Sequence, residues 1–180
     1  MLRYKDDISA PRGVAPRLGS FVRPLSMALF CTVTLAGPLH AETWTGVASV
    51  IDGDTLEIHG VRVRLEGIDA PESSQLCYDE RHTAWRCGQA AARALDEFIT
   101  RKTVQCETHS KDRYGRYIAT CYLGRTDLNG ALVSSGLAVA YRKYSKRYIL
   151  EEESARAAKV GIWRGAFVMP WDWRRGERVQ

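Results

Sequence analysis

From residue 43 to residue 66 apolar and polar positions alternate with a period of two. Residues 44–51 read as one strand, and Leu56 and Ile58 alternate with Thr55, Glu57 and His59 in a second. Val61, Val63 and Leu65 alternate with Arg62, Arg64 and Glu66 in a third. Period-two alternation with β-branched residues is the pattern of half-buried strands. His59-Gly60 supplies the turn between the second and third, since Gly accepts the positive φ of a tight hairpin. The period lengthens at residues 89–100, where Ala91, Leu95, Phe98 and Ile99 share one helical face and Arg93, Asp96 and Glu97 the other. Strands return at residues 103–108 and 116–123 around a polar turn. Asp127 is placed to cap a second helix through Leu128, Ala131, Leu132 and Val133, closed by Gly136. A short apolar stretch follows at residues 138–141. A third helix, residues 148–160, opens on Glu151, Glu152 and Glu153, acids that suit its N-terminal dipole, and stops at Gly161. Five strands with a long helix inserted after the third, and no strand–helix alternation, predict an α+β chain. The expected architecture is a five-stranded oligonucleotide-binding (OB-fold) barrel with three helices.

Ahead of the barrel, residues 1–26 are polar and basic, and residues 25–35 form an apolar run of signal-peptide length. That run is shorter than the ~20 residues a membrane-spanning helix needs. Gly37-Pro38 breaks it, and Leu39-His40-Ala41 offers a cleavage site. The expected division is a leader over 1–41, a barrel domain over 42–165 and an aromatic, basic tail over 166–180. Export to the periplasm or outside is expected, without stable membrane association after cleavage. An uncleaved N-terminal anchor is the alternative, whereas bulky Phe30 argues against a lipid on Cys31. The net charge of +5 shrinks once the leader is set aside, to 21 basic against 19 acidic residues. Overall charge is therefore weak evidence for a polyanion partner, and the placement of individual arginines matters more.

Export changes how the cysteines read. Cys77, Cys87, Cys106 and Cys121 should pair in an oxidising compartment, and none shows Cys-x-x-Cys metal or redox spacing. Three connectivities are possible. Local geometry favours Cys77–Cys87, closing a short loop, and Cys106–Cys121, joining two strands that face each other.

Candidate chemistry lies at the ends of the central hairpin. Asp52 and Asp54 precede it, Asp69 and Glu72 follow it, and Arg64 lies between. Asp-Gly is also a common turn dipeptide, but folding the hairpin gathers both acidic ends, which is costly without a cation. Aspartate oxygens without His or Cys partners suit a hard cation such as Ca²⁺ or Mg²⁺. His59, His82 and His109 are scattered and read as turn or surface residues. Arg64, and Arg116 at the end of Asp112-Arg113-Tyr114-Gly115-Arg116, could each grip a phosphate with a guanidinium fork. Carboxylates with a cation, two arginines and a further carboxylate at Glu72 suit phosphodiester hydrolysis. A regular two-residue hairpin would set Asp54 and Arg64 on opposite strand faces, so bending at the barrel end is expected to reconcile them. Trp171 and Trp173 interleave with Arg174 and Arg175 in the tail, which either stacks on bases or docks its rings against the barrel.

These motifs resemble the staphylococcal nuclease (thermonuclease) family. Asp-Gly-Asp-Thr at 52–55, Arg64-Leu65, Asp69-Ala70-Pro71-Glu72, Asp112-Arg113-Tyr114-Gly115-Arg116, Asn129 to Gly136-Leu137-Ala138 and Gly161-Ile162-Trp163 occur in the family's order. The resemblance implies the barrel derived above. It implies Ca²⁺ on Asp54, Asp69 and the Ala70 carbonyl, Arg64 and Arg116 on the scissile phosphate, and Glu72 as general base or water-orienting group. It also implies a nucleotide pocket at Tyr114 and Tyr141, with Arg113 beside it. Position 70 is Ala where the most studied nuclease of the family has Thr. Neither the loop holding Cys77 and Cys87 nor the chain after Trp163 has a counterpart that suggests a role. The implied activity is hydrolysis of DNA and RNA, single-stranded preferred, with little sequence preference, by a monomer. A barrel of this family can alternatively lose catalysis and serve as a nucleic-acid- or protein-binding module.

Overall fold

The computed structural model describes residues 42–180, so the expected leader lies outside the described residues. Its strands are β1 (Thr43–Asp52), β2 (Thr55–Ile58), β3 (Val61–Leu65), β4 (Ile68–Asp69), β5 (Cys77–Tyr78), β6 (Ala84–Trp85), β7 (Thr103–Lys111), β8 (Tyr117–Leu123), β9 (Thr126–Asp127) and β10 (Val139–Ala140). The helices are α1 (Cys87–Ile99), α2 (Leu128–Ser134), α3 (Ile149–Ala157) and α4 (Pro170–Arg174). A 3₁₀ turn covers Gly161–Arg164.

The main sheet runs β3-β2-β1-β7-β8-β9, and a further β3–β8 pairing closes five of these strands into the expected barrel. That closing pair is parallel, with Val63 opposite Tyr117 and Arg64 opposite Ile118. All other neighbours in the sheet are antiparallel. The β2–β3 turn is left-handed at both residues, with φ of 51° at His59 and 79° at Gly60. Leu56, Ile58, Val63 and Leu65 point inward and are fully buried, as their alternation requires. Ala91, Leu95 and Ile99 of α1 pack into the same core.

Asp127 caps α2 by accepting from the Gly130 N–H at 3.0 Å. Buried Asn129 ties that helix to the barrel: its Oδ1 accepts from Cys121 N–H, and its Nδ2 donates to the Glu66 and Ala119 carbonyls. The structure joins Cys77 to Cys87 and Cys106 to Cys121. Cys106 and Cys121 are direct cross-strand partners, which brings their thiols together.

Two differences from the sequence expectation matter. The loop holding Cys77 and Cys87 contains the small β5–β6 pair. The tail also adds a fourth helix to the expected three. Tail and disulfide loop pack on each other: Trp85, Trp163, Phe167, Met169 and Trp171 surround a second core of Cys77, Cys87, Val139 and Ile162. The Tyr78 N–H donates to the Ala166 carbonyl, and Gln75 Nε2 donates to the Val168 carbonyl at 2.7 Å. The tail is therefore docked. Among the described residues, no helix is long and apolar enough to cross a membrane.

Candidate active site

The acids converge because the chain leaves regular strand geometry at the right place. The β1–β2 register shifts between Val50 and Asp52, and Gly53-Asp54 forms the turn that follows. A Cβ on Gly53 would lie 2.7 Å from that of Ala70 and 2.8 Å from that of Ala91, so only glycine lets this turn sit against both. The Ala70 N–H then donates to Asp54 Oδ2 at 3.0 Å. Asp54, lying in the turn and outside the β2 alternation, is free to meet Arg64, which stands opposite Thr55. Arg64 Nη1 donates to Asp54 Oδ1 at 2.7 Å and Nη2 to Asp69 Oδ1 at 2.8 Å. One guanidinium thus spans both aspartates.

Burial gives this arrangement its electrostatic character. Asp54 is 4 % exposed and Asp69 is fully buried, so neither charge is offset by water. Burial pushes the Asp54 carboxyl up to about 7. Asp52 and Asp69 add to that rise, while Arg64 and the Ala70 N–H oppose it without cancelling it. Burial works against the charge on Arg64, but the two aspartates outweigh it and hold the guanidinium above its ordinary value.

Glu72 is fixed through its backbone. Its N–H donates to the buried Gln75 Oε1 at 3.1 Å, and its carbonyl packs against Gly88 at the start of α1. A Cβ on Gly88 would come within 1.8 Å of that carbonyl oxygen.

Arg174, on α4, joins the group. Its Nη2 donates to Asp69 Oδ2 at 2.7 Å, and its Nη1 donates to Asp69 Oδ1 at 3.1 Å and to Glu72 Oε1 at 2.6 Å. Sequence reasoning assigned this arginine no place in the site. The available signal was the Trp-Asp-Trp-Arg-Arg cluster after Pro170, an amphipathic helical turn with Pro at its first position.

Arg116 is held elsewhere. Its Nε and Nη2 both donate to Asp112 Oδ2 at 2.8 Å, and it makes no hydrogen bond or ion pair to Asp54, Asp69 or Glu72. The Val63–Tyr117 pairing nevertheless puts Arg116 at the head of the strand next to Arg64. Burial tends to raise the Asp112 carboxyl, but Arg116 and the N–H groups of Arg116 and Tyr114 outweigh it and leave it below the usual value. At the hairpin tip Tyr114 is exposed, its hydroxyl accepting from Arg113 at 2.7 Å, with both arginines against its ring. Tyr141 stacks on Trp171, centroids 5.3 Å apart and planes 6° from parallel, so the tail covers a face of it. Beside this pair lies a cavity of about 440 Å³ that Arg142, Lys143, Arg156 and Met169 also line. The three histidines among the described residues are peripheral: His59 and His82 take positive φ in turns, and His109 pairs with Glu66 at 3.2 Å.

Among the described residues no three acidic, His or Cys side chains form a ready cation cage. What is present is a pair of buried carboxylates that share Arg64, with Arg174 on Asp69 alone and the Ala70 N–H against Asp54. These are hard oxygen donors, and they fit a hard cation that keeps several waters.

The closed barrel with two buried aspartates bridged by Arg64 belongs with nuclease-type proteins. The family described as "Staphylococcal nuclease homologue" matches residues 62–165, more than half of the chain, and the chain belongs to that family. It is 40% identical over 171 residues to "Succinoglycan biosynthesis protein ExoI" of Rhizobium meliloti (strain 1021), covering 91% of this chain and 90% of that protein. It is 32% identical over 176 residues to "Micrococcal nuclease" of Shigella flexneri, covering 87% and 94%. With an "Uncharacterized endonuclease" of Haemophilus influenzae it shares 33% identity over 141 residues, covering 74% of each.

Proposed function

We propose that the protein is an exported, calcium-dependent phosphodiesterase that hydrolyses DNA and RNA with little sequence preference. The observation that carries the reading is Arg64 spanning Asp54 and Asp69, with Glu72 joined to the same cluster. Asp54, Asp69 and the Ala70 carbonyl would hold Ca²⁺, which supplies a fixed positive charge against the developing charge of the phosphoryl oxygens. Arg64 and Arg116 grip the scissile phosphate, Arg116 exchanging Asp112 for phosphate oxygens of the same fork geometry. Glu72 orients a water and accepts its proton as the water oxygen bonds to phosphorus. The bond from phosphorus to the 5′-oxygen breaks, and that oxygen takes a proton from solvent water, leaving a 3′-phosphate. Contacts to phosphate and not to base edges make the reaction sequence-tolerant. Tyr114, Arg113 and Tyr141 line the nucleotide side, which favours flexible single strands. A relative named for nuclease activity supports the reaction class, and two disulfides support an oxidising compartment. Glu72→Ala and Arg116→Ala should each remove most hydrolysis of a fluorescent oligonucleotide at unchanged thermal stability. Unchanged turnover in either overturns the role given to that residue.

A further inference from the structure

The disulfide loop and the tail, to which the sequence assigned no role, meet beside the site. Gln75 holds both Glu72 and the tail backbone at Val168, and the aromatic cluster around the Cys77–Cys87 bridge anchors the tail. From this base α4 makes two contacts with functional groups. Arg174 takes both oxygens of Asp69 and one of Glu72, and Trp171 covers Tyr141.

The Asp69 carboxylate is thereby committed. Its Oδ1 accepts from Arg64 and Arg174, and its Oδ2 accepts from Arg174. A calcium ion needs those same oxygens. The cations of the neighbouring cavity are largely used locally, Arg142 by Glu152 and Arg175 by Asp172. Arg174 alone among the tail's cations reaches the acids.

We propose that Arg174 is a resident counter-cation of the site, which calcium must displace. Its release undocks α4, lifts Trp171 from Tyr141 and opens the nucleotide side. Metal binding and substrate access are then coupled through one helix. The tail sets the calcium concentration at which the enzyme turns on. The inference rests on the calcium-dependent reading above.

The test is calcium titration by calorimetry on the full chain, with hydrogen exchange across residues 166–180. Arg174→Gln should bind calcium roughly tenfold more tightly than wild type, because no charged fork competes for Asp69. Arg174→Lys should fall between the two, since a single ammonium cannot cover both oxygens. Trp171→Ala, which loosens α4 and leaves Arg174 intact, should also tighten binding. In wild type, calcium should speed exchange in residues 166–180. Calcium bound equally or more weakly by Arg174→Gln, or exchange in the tail slowed by calcium, overturns the proposal and leaves the nuclease reading standing. No calcium binding by any of these proteins overturns the nuclease reading and this inference with it.

Discussion

Replacing Asp54 by Asn should stabilise the metal-free protein, and only at neutral and alkaline pH. The Asp54 carboxyl titrates near 7 in the folded chain against an ordinary value of 3.8. A group whose folded pKa is raised favours folding when protonated, so this stabilisation is complete below about pH 4 and is lost as pH climbs through 7. The interval corresponds to ~4 kcal/mol of strain in the ionised state. Asn removes the charge but keeps one acceptor oxygen. Facing Arg64 with that oxygen turns its amide nitrogen toward the Ala70 N–H, a conflict costing about 1–2 kcal/mol. The net gain is on the order of 2 kcal/mol at pH 8, whereas at pH 4, where Asp54 is already neutral, the conflict leaves the variant less stable by about 1–2 kcal/mol. Urea denaturation with chelator at several pH values reads this directly. Calcium should then stabilise wild type far more than the variant. A variant less stable than wild type at pH 8, or a gain independent of pH, would mean that Asp54 is not held as a strained buried carboxylate. The expected result means that the fold carries an unfavourable buried charge for the sake of its ligand.

Other outcomes follow from single contacts. Gly88→Ala puts a methyl against the Glu72 carbonyl and should lower kcat well beyond its effect on calcium affinity, measured by steady-state cleavage and titration. Replacing Cys106 and Cys121 together by Ser opens a 15-residue separation and should cost ~3 kcal/mol in urea denaturation, with catalysis intact in the folded fraction. Asp112 is held below the usual carboxylate value, so its grip on the hairpin tip persists above that value and is lost as pH falls beneath it. Protection of the amides of residues 112–116 against hydrogen exchange, taken relative to their intrinsic rates, should therefore fall only below the ordinary carboxylate value, and Asp112→Asn should abolish that fall.

The barrel was legible because its signals are local. Leu56, Ile58, Val63 and Leu65 report burial through alternation, His59-Gly60 reports a turn, and Asp127 and Gly136 bracket a helix. The acids and Arg64 were legible as neighbours because a single hairpin joins them. How Asp54 reaches Arg64 was not, since it depends on Gly53 allowing the turn to pack against Ala70 and Ala91. Asp112 lay within its own motif, yet its pairing with Arg116 is a matter of turn geometry that residue spacing does not encode. Arg174 was least visible. It meets Asp69 across 105 positions, through a tail placed by the disulfide loop, and no periodic pattern carries such a contact.

In the proposed reaction Asp54 and Asp69 hold calcium close enough to Arg64, Glu72 and Arg116 for all to act on one phosphate. The direct measurement is cleavage of a fluorescent single-stranded oligonucleotide with calcium, repeated with chelator, and then with Asp54→Asn and Asp69→Asn. Rapid calcium-dependent hydrolysis that chelator and both substitutions abolish is the predicted result. Hydrolysis that survives chelator, or that both variants retain, would contradict the account.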